Sequence, residues 1–339
     1  MIDNTVYRAA LERALPDIAI RDGKVLVTGA SGLIGSCLTD LLLLSNGHGR
    51  HFEVFALGRS KARLQARFKA FKDSSRLHFI EQDIRQPIDC KVEYDYIIHG
   101  ASNADPRSYA LYPAETMLIN IIGAKNILDY CKDHLATKAV MLSTFEVYGN
   151  AGKDVYEEAD NGIVDINMLR SCYPESKRGM EVLTRCYIDE YKVNAVIGRL
   201  SSIYGPTMTE DDNKAHAQFI RNGLQGKDIV LKSKGEQRRT YCYVIDAVTG
   251  LLYVLGKGVA GEAYNISNEK SIVTIAEFAQ TVADISGTKV ITETPGETEK
   301  KGYSAPQNCI LDNKKLIQLG WEGRYNIQQG ISECFLCME

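Results

Sequence analysis

A chain of 339 residues is long for a single core and suits one large domain beside a smaller one. Its 45% hydrophobic and 24% charged content is that of an ordinary soluble protein. A net charge of −3 lacks the basic excess of a general nucleic-acid surface, so no nucleic-acid partner is expected. No apolar run approaches the roughly 20 residues that a membrane helix needs, and Met1 to Ile20 carries charges throughout without an apolar signal core; neither a membrane partner nor secretion is expected. Nine cysteines are scattered along the chain with no paired metal-ligand spacing, so no metal site is expected. They read as reduced thiols in a cytoplasm. Cys334-Phe335-Leu336-Cys337 is a lone C-x-x-C far from any strand–helix unit, and reads as chance rather than a redox site.

In chain order, residues 4–20 read as an amphipathic helix with Val6, Ala10, Leu11 and Leu15 on one side, broken by Pro16. The strand Val25–Thr28 then runs into glycines at G-x-x-G-x-x-G, namely Gly29, Gly32 and Gly35, and an apolar helix over Leu33–Leu44. Gly29 permits the tight turn, Gly32 lets backbone approach a pyrophosphate, and Gly35 lets the helix pack close on the strand. The helix start offers free N–H groups and a positive dipole end to phosphate. Strand and helix patterns then alternate: Glu53–Leu57 strand, Lys61–Phe71 helix, Leu77–Glu81 strand, Tyr96–His99 strand, Pro113–His134 helix, Ala139–Leu142 strand, Tyr173–Tyr191 helix, Ala195–Leu200 strand. This order predicts an α/β fold, a Rossmann-type doubly wound parallel sheet.

Ligands of such sheets sit at the carboxyl ends of the strands. After the second strand, no acidic residue stands where an NAD-binding unit places one, and Arg59-Ser60 leans toward NADP; Arg59 also reads as a solvated loop charge. After the third, Asp83 suits the adenine amino group or simply forms a turn with Ile84. After the fourth, Gly100-Ala101-Ser102 leaves room for a flat cofactor. After the fifth come Ser143, Thr144, Phe145 and Glu146, and then Tyr173-Pro174-Glu175-Ser176-Lys177 opens a helix. Tyr173 and Lys177 are four apart, roughly 6 Å along the axis on one face. A neighbouring ammonium and a cationic nicotinamide both favour phenolate, so Tyr173 suits a proton acceptor for a hydroxyl whose carbon loses hydride. Alone, such a pair is as well explained by a helix surface; after a strand-end Ser-Thr and a glycine turn it reads as a site.

The segments Thr28-Gly29-Ala30-Ser31-Gly32-Leu33-Ile34-Gly35, Ser143 to Gly149 and Tyr173 to Lys177 resemble an extended short-chain dehydrogenase/reductase, and more narrowly the NAD-dependent epimerase/dehydratase family that acts on nucleotide sugars. Arg199 to Pro206 resembles the family's R-x-x-N-x-x-G-P, Arg239 to Asp246 its R-x-F-x-x-V-x-D, and Ala263 to Asn268 the strand that begins its C-terminal part. The resemblance implies NAD or NADP held by Gly29, Ser31, Gly32, Leu33, Ile34, Gly35, Arg59, Ser60, Asp83, Ile84, Ala101 and Lys177. It implies catalysis by Thr144, Tyr173, Lys177 and Glu146, with Thr144 on the sugar C4 hydroxyl. It places a nucleotide-diphosphate sugar against Ser143, Thr144, Phe145, Tyr173, Ser202 and Arg239, with Arg239 clamping the diphosphate. Implied divisions are a helical extension at 1–23, a dinucleotide-binding domain at 24–200 and 237–262, and a smaller substrate-binding domain at 201–236 and 263–339. A homodimer is implied through the two long helices.

The departures bear on the reaction. Dehydratases of the family carry Asp-Glu after the Thr; here Phe145 holds the Asp place, and a phenyl ring cannot protonate a departing hydroxyl. UDP-glucuronate decarboxylases resemble the chain around Thr144 to Gly149 and at Arg239, but normally have Ser at 145. Epimerases usually lack Glu at 146, which also reads as a carboxylate that only bonds backbone. Ser202 replaces the family's Asn. The expected activity is redox-neutral exchange at C4, epimerisation in its simplest form or a decarboxylase-like variant. The alternatives are an NADPH-dependent reductase of 4-keto-6-deoxy nucleotide sugars and a non-catalytic dinucleotide sensor.

Overall fold

The computed structural model describes residues 1–89, 91–294 and 307–338. Cys90 and residues 295–306 of the expected substrate domain lie outside them. Seven parallel strands form the large sheet: β1 (Lys24–Thr28), β2 (Glu53–Gly58), β3 (Leu77–Glu81), β4 (Tyr96–His99), β5 (Lys138–Thr144), then Asn194–Leu200 and Ala263–Ile266. Their spatial order runs from Ala263–Ile266 through Asn194–Leu200, β5, β4, β1 and β2 to β3. Val25 faces Val54 on one side and Tyr96 on the other, so the chain reverses direction of growth at β1, beside the glycine turn.

Strands buried on both faces show as continuous apolar runs. Successive residues point to opposite faces, and the two cores divide accordingly. Val25, Val27, Val54, Ala56, Val140 and Leu142 enter the core beneath the helices Leu33–Asn46 and Val244–Lys257. Leu26, Phe55, Leu57, Ala139 and Met141 enter the core beneath Pro113–Asp133 and Cys172–Tyr191.

The smaller part pairs Arg238–Tyr243 in parallel with Ser202–Tyr204 and antiparallel with Ile272–Thr274. A second pair joins Ile229–Leu231 to Val290–Thr292. The helix Ile275–Ser286 starts with a capping box between Thr274 and Glu277. Two expected boundaries shift. Ala263–Ile266 is the edge strand of the large sheet rather than a start to the smaller part. Arg238–Tyr243 belongs to the small sheet, and only the helix after it returns to the large one.

The helix expected over Lys61–Phe71 ends at Arg67 and tightens into a 3-10 turn, and a short helix, Pro106–Leu111, was not foreseen. The first helix, Thr5–Ala14, packs on Leu33–Asn46 and on the last helix, Ile327–Met338. Tyr7 donates to the buried Asp40 at 3.0 Å, and Arg67 pairs with the same carboxylate at 2.5 Å. Asn4 donates to the Cys337 carbonyl at 3.1 Å and Arg13 pairs with Glu333 at 2.6 Å. Cys334 and Cys337 are buried in this clasp, and every described cysteine is a free thiol. Among the described residues no helix is long and apolar enough to cross a membrane.

Candidate active site

The glycine turn stands at the end of β1 as the spacing predicts. Gly29 has φ +69°, and a Cβ there would lie 3.0 Å from the Gly100 and Ala101 backbone. A Cβ on Gly35 would lie 2.5 Å from the Gly29 carbonyl, so helix and strand touch through bare backbone. Gly32 caps the helix Leu33–Asn46 with no side-chain hydrogen bond. The first-turn N–H groups, those of Leu33 and Ile34 among them, therefore have no side-chain cap, the arrangement that receives an anion. Thr28 accepts from the Gly100 and Ala101 amides at 3.2 Å and bonds His99 Nδ1 at 2.9 Å. Burial pushes the His99 imidazole down to about 3, so it sits neutral and ties β1 to β4. These residues fit a dinucleotide pyrophosphate.

Beyond β2 and β3 the residues expected at the cofactor have protein partners. Arg59 is 62% exposed and pairs with Glu115 at 3.3 Å. Ser60 spends its oxygen capping the Arg63 amide at 3.3 Å. Asp83 is gripped by Arg85 at 2.6 Å, and those hydrogen bonds hold its carboxyl below the usual range, with Arg59 adding to the effect. Ile84 is buried, and its carbonyl accepts from Asn126 at 2.8 Å.

At the reacting end, Thr144 closes β5 and caps a 3-10 turn, Phe145–Tyr148, by accepting from the Glu146 amide at 3.3 Å. The helix Cys172–Tyr191 carries Tyr173 and Lys177, both buried. The long helix Pro113–Asp133 seats it: Asn120 donates to Ser176 at 2.8 Å, and Ser176 to the Tyr173 carbonyl at 2.9 Å. Lys177 Nζ donates to the Leu142 carbonyl at 2.8 Å, and burial pushes its ammonium down to about 8. Burial and the Glu146 charge raise the Tyr173 phenol. The Thr144 and Tyr109 hydroxyls and the Arg170 charge act the other way. Thr144, Tyr173 and Glu146 are thus brought together, with Lys177 one turn further along the helix.

Ser143 is not part of this opening. Its hydroxyl donates to the buried Glu181 at 2.6 Å, and Glu181 is held by Arg199 at 2.9 and 2.7 Å. It helps fix β5 to the active helix instead of facing a ligand. Arg239 stands 5.5 Å over the Phe145 ring, on a strand whose register sets Tyr241 beside the partly buried Ser202. Phe145 packs on Tyr148, Tyr156 and Leu311.

Two residues of the site escaped the sequence. Tyr109 stacks on Tyr173 with ring centroids 4.6 Å apart; its helix has a readable start, Asp105 before Pro106. Arg170 pairs with Glu146 at 2.5 Å, the two side chains 12% and 14% exposed, and lies 5.6 Å over Tyr109. It lies in the 3-10 turn Leu169–Ser171 ahead of the helix, where helical spacing gives no signal.

The chain is similar to known proteins in sequence and in fold. The profile described as "NAD dependent epimerase/dehydratase family" matches residues 25–267. UDP-glucuronic acid decarboxylase 6 of Arabidopsis thaliana is 30% identical over 312 residues, 91% of this chain and 86% of that protein. The crystal structure of UDP-glucuronic acid 4-epimerase from Bacillus cereus, with UDP-glucuronic acid and NAD, superposes with TM-score 0.77 at 24% identity, over 93% of this chain and 98% of that one. UDP-glucose 4-epimerase from Thermotoga maritima gives 0.78 at 23% identity, over 92% and 97%.

Proposed function

As a member of the NAD-dependent epimerase/dehydratase family, to which this chain belongs, it is a dinucleotide-dependent enzyme of nucleotide sugars, and we propose that its substrate is a nucleotide-diphosphate uronic acid altered through a C4 ketone without net oxidation. The observation that carries this reading is the similarity, over 91% of the chain, to UDP-glucuronic acid decarboxylase 6, whose substrate is a uronic acid. Glu146 stands beside Tyr173 with Arg170 upon it, and Arg239 lies over the adjacent Phe145.

When bound, the dinucleotide supplies an acceptor and later a donor of hydride at the nicotinamide. Tyr173 takes the proton of the C4 hydroxyl, and Thr144 orients that oxygen. Lys177, one turn along the helix, would hold the nicotinamide ribose. The C4 ketone is β to the C5 carboxylate, so the electrons of the C5–carboxyl bond pass into the carbonyl as carbon dioxide leaves. C5 then regains a proton, and Tyr173 returns its own as C4 is reduced. Phe145 has no proton to give, which argues against loss of the C6 hydroxyl in a dehydration. Arg59, already met by Glu115 and close to Asp83, supports NAD over NADP, against the lean of the sequence. Gly29, Gly32 and Gly35 with the Leu33–Ile34 turn hold the pyrophosphate.

Phe145 also favours a second reading, 4-epimerisation, which needs only the Tyr173 and Thr144 hydroxyls. Incubation with UDP-glucuronate and identification of the product by NMR separates the two. A UDP-pentose with carbon dioxide supports decarboxylation, a UDP-galacturonate supports epimerisation, and unchanged substrate with dinucleotide-loaded protein contradicts the uronate assignment. We further propose a homodimer through the outer faces of Pro113–Asp133 and Cys172–Tyr191, where Met117, Leu118 and Val182 are exposed. The free thiols support a cytoplasmic setting.

A further inference from the structure

We infer that Arg170 is a positioning residue whose guanidinium cancels the charge of Glu146 at the Tyr173 phenol, so that a carboxylate can stand beside the acid/base group without suppressing its ionisation. The inference rests on the reading of Tyr173 as that group. The geometry is specific. Arg170 meets Glu146 at 2.5 Å in a place where both side chains are largely buried, so solvent screens their charges weakly. Its guanidinium also lies over Tyr109, the ring stacked on Tyr173, which fixes the cation near the phenol from a second side.

Tyr173 is faced by Glu146 and Thr144 from the turn after β5, and by Tyr109 from Pro106–Leu111 with Asp105 at that helix's cap. Arg170 faces it from the turn before its own helix, and Lys177 stands one turn along. Among these, Glu146 opposes the phenolate and Arg170 favours it. A carboxylate left without its cation disfavours a neighbouring anion by on the order of one pK unit or more.

The test uses NAD-loaded protein and no sugar, so an error in the substrate assignment leaves it intact. A phenolate against an oxidised nicotinamide gives a charge-transfer absorbance, and its growth with pH reports the ionisation of Tyr173. Arg170→Met should move that midpoint up by roughly one unit or more, and Glu146→Gln should move it down. The double variant should return near the wild-type value, and Arg170→Lys, which keeps the charge, should stay near it. An unmoved midpoint in Arg170→Met, or no return in the double variant, overturns the inference. Tyr173→Phe should abolish the band. A band that survives would overturn the reading of Tyr173 and the inference with it.

Discussion

If Lys177 serves the cofactor as proposed, it trades stability for that role. Burial lowers its ammonium from 10.5 to about 8, while an unfolded lysine keeps the ordinary value. Between those values the unfolded state binds more protons than the native one, so stability rises with pH across that window. Below about pH 8 the buried cation is a cost. Lys177→Met should therefore raise the Tm of the dinucleotide-free protein at pH 7 while lowering turnover by roughly 10²-fold or more. A lower Tm, measured by calorimetry, would contradict the assignment of Lys177 as a strained functional cation. At this scale the sequence was partly legible. The spacing of Tyr173 and Lys177 placed both, because helix geometry alone decides which residues share a face. It did not reveal that Ser143 turns inward, because the reason is Glu181, 38 residues away, and a tertiary partner leaves no local mark.

A buried ion pair helps hold the helix Cys172–Tyr191 to the sheet. Glu181 accepts from Ser143 at the end of β5 and from Arg199 on the next strand. Those hydrogen bonds and the Arg199 charge outweigh burial and hold its carboxyl below the usual 4.5. This stabilisation is fully present above the unfolded value and is lost as pH falls through the lower native one. Removing one partner of a buried pair leaves the other charge uncompensated. Glu181→Ala should destabilise by roughly 3–5 kcal/mol in urea unfolding at pH 7, with a smaller penalty near pH 3. A loss under 1 kcal/mol would mean that the pair does not fix the helix. Strand and helix order was legible because parallel strands, buried on both faces, read as short apolar runs between helical patterns. The boundaries of the smaller part were not. Its strands are only three to six residues long, and their pairing is set by contacts across the fold.

At the scale of the molecule, the glycine turn and Thr144 stand at the carboxyl ends of β1 and β5, with Arg170 on Glu146 and Arg239 over Phe145. The N-terminal helix is clasped to the last one, and Tyr7 ties it to Asp40 of the helix Leu33–Asn46. The outer faces of the long helices carry Met117, Leu118 and Val182 exposed. Charging that face with Met117→Glu and Val182→Glu together should convert a dimer to a monomer in sedimentation velocity, with the fold retained by circular dichroism. An unchanged sedimentation coefficient would place the interface elsewhere.

The central claim is that hydride leaves C4 and returns to C4 within one turnover. The most direct measurement uses UDP-glucuronate carrying deuterium at C4, with protein as purified and no added dinucleotide. The account predicts catalytic turnover with the label recovered at C4 of the product. Product formed only with added dinucleotide, one reduced or oxidised equivalent per product, and loss of the label from C4 would contradict it.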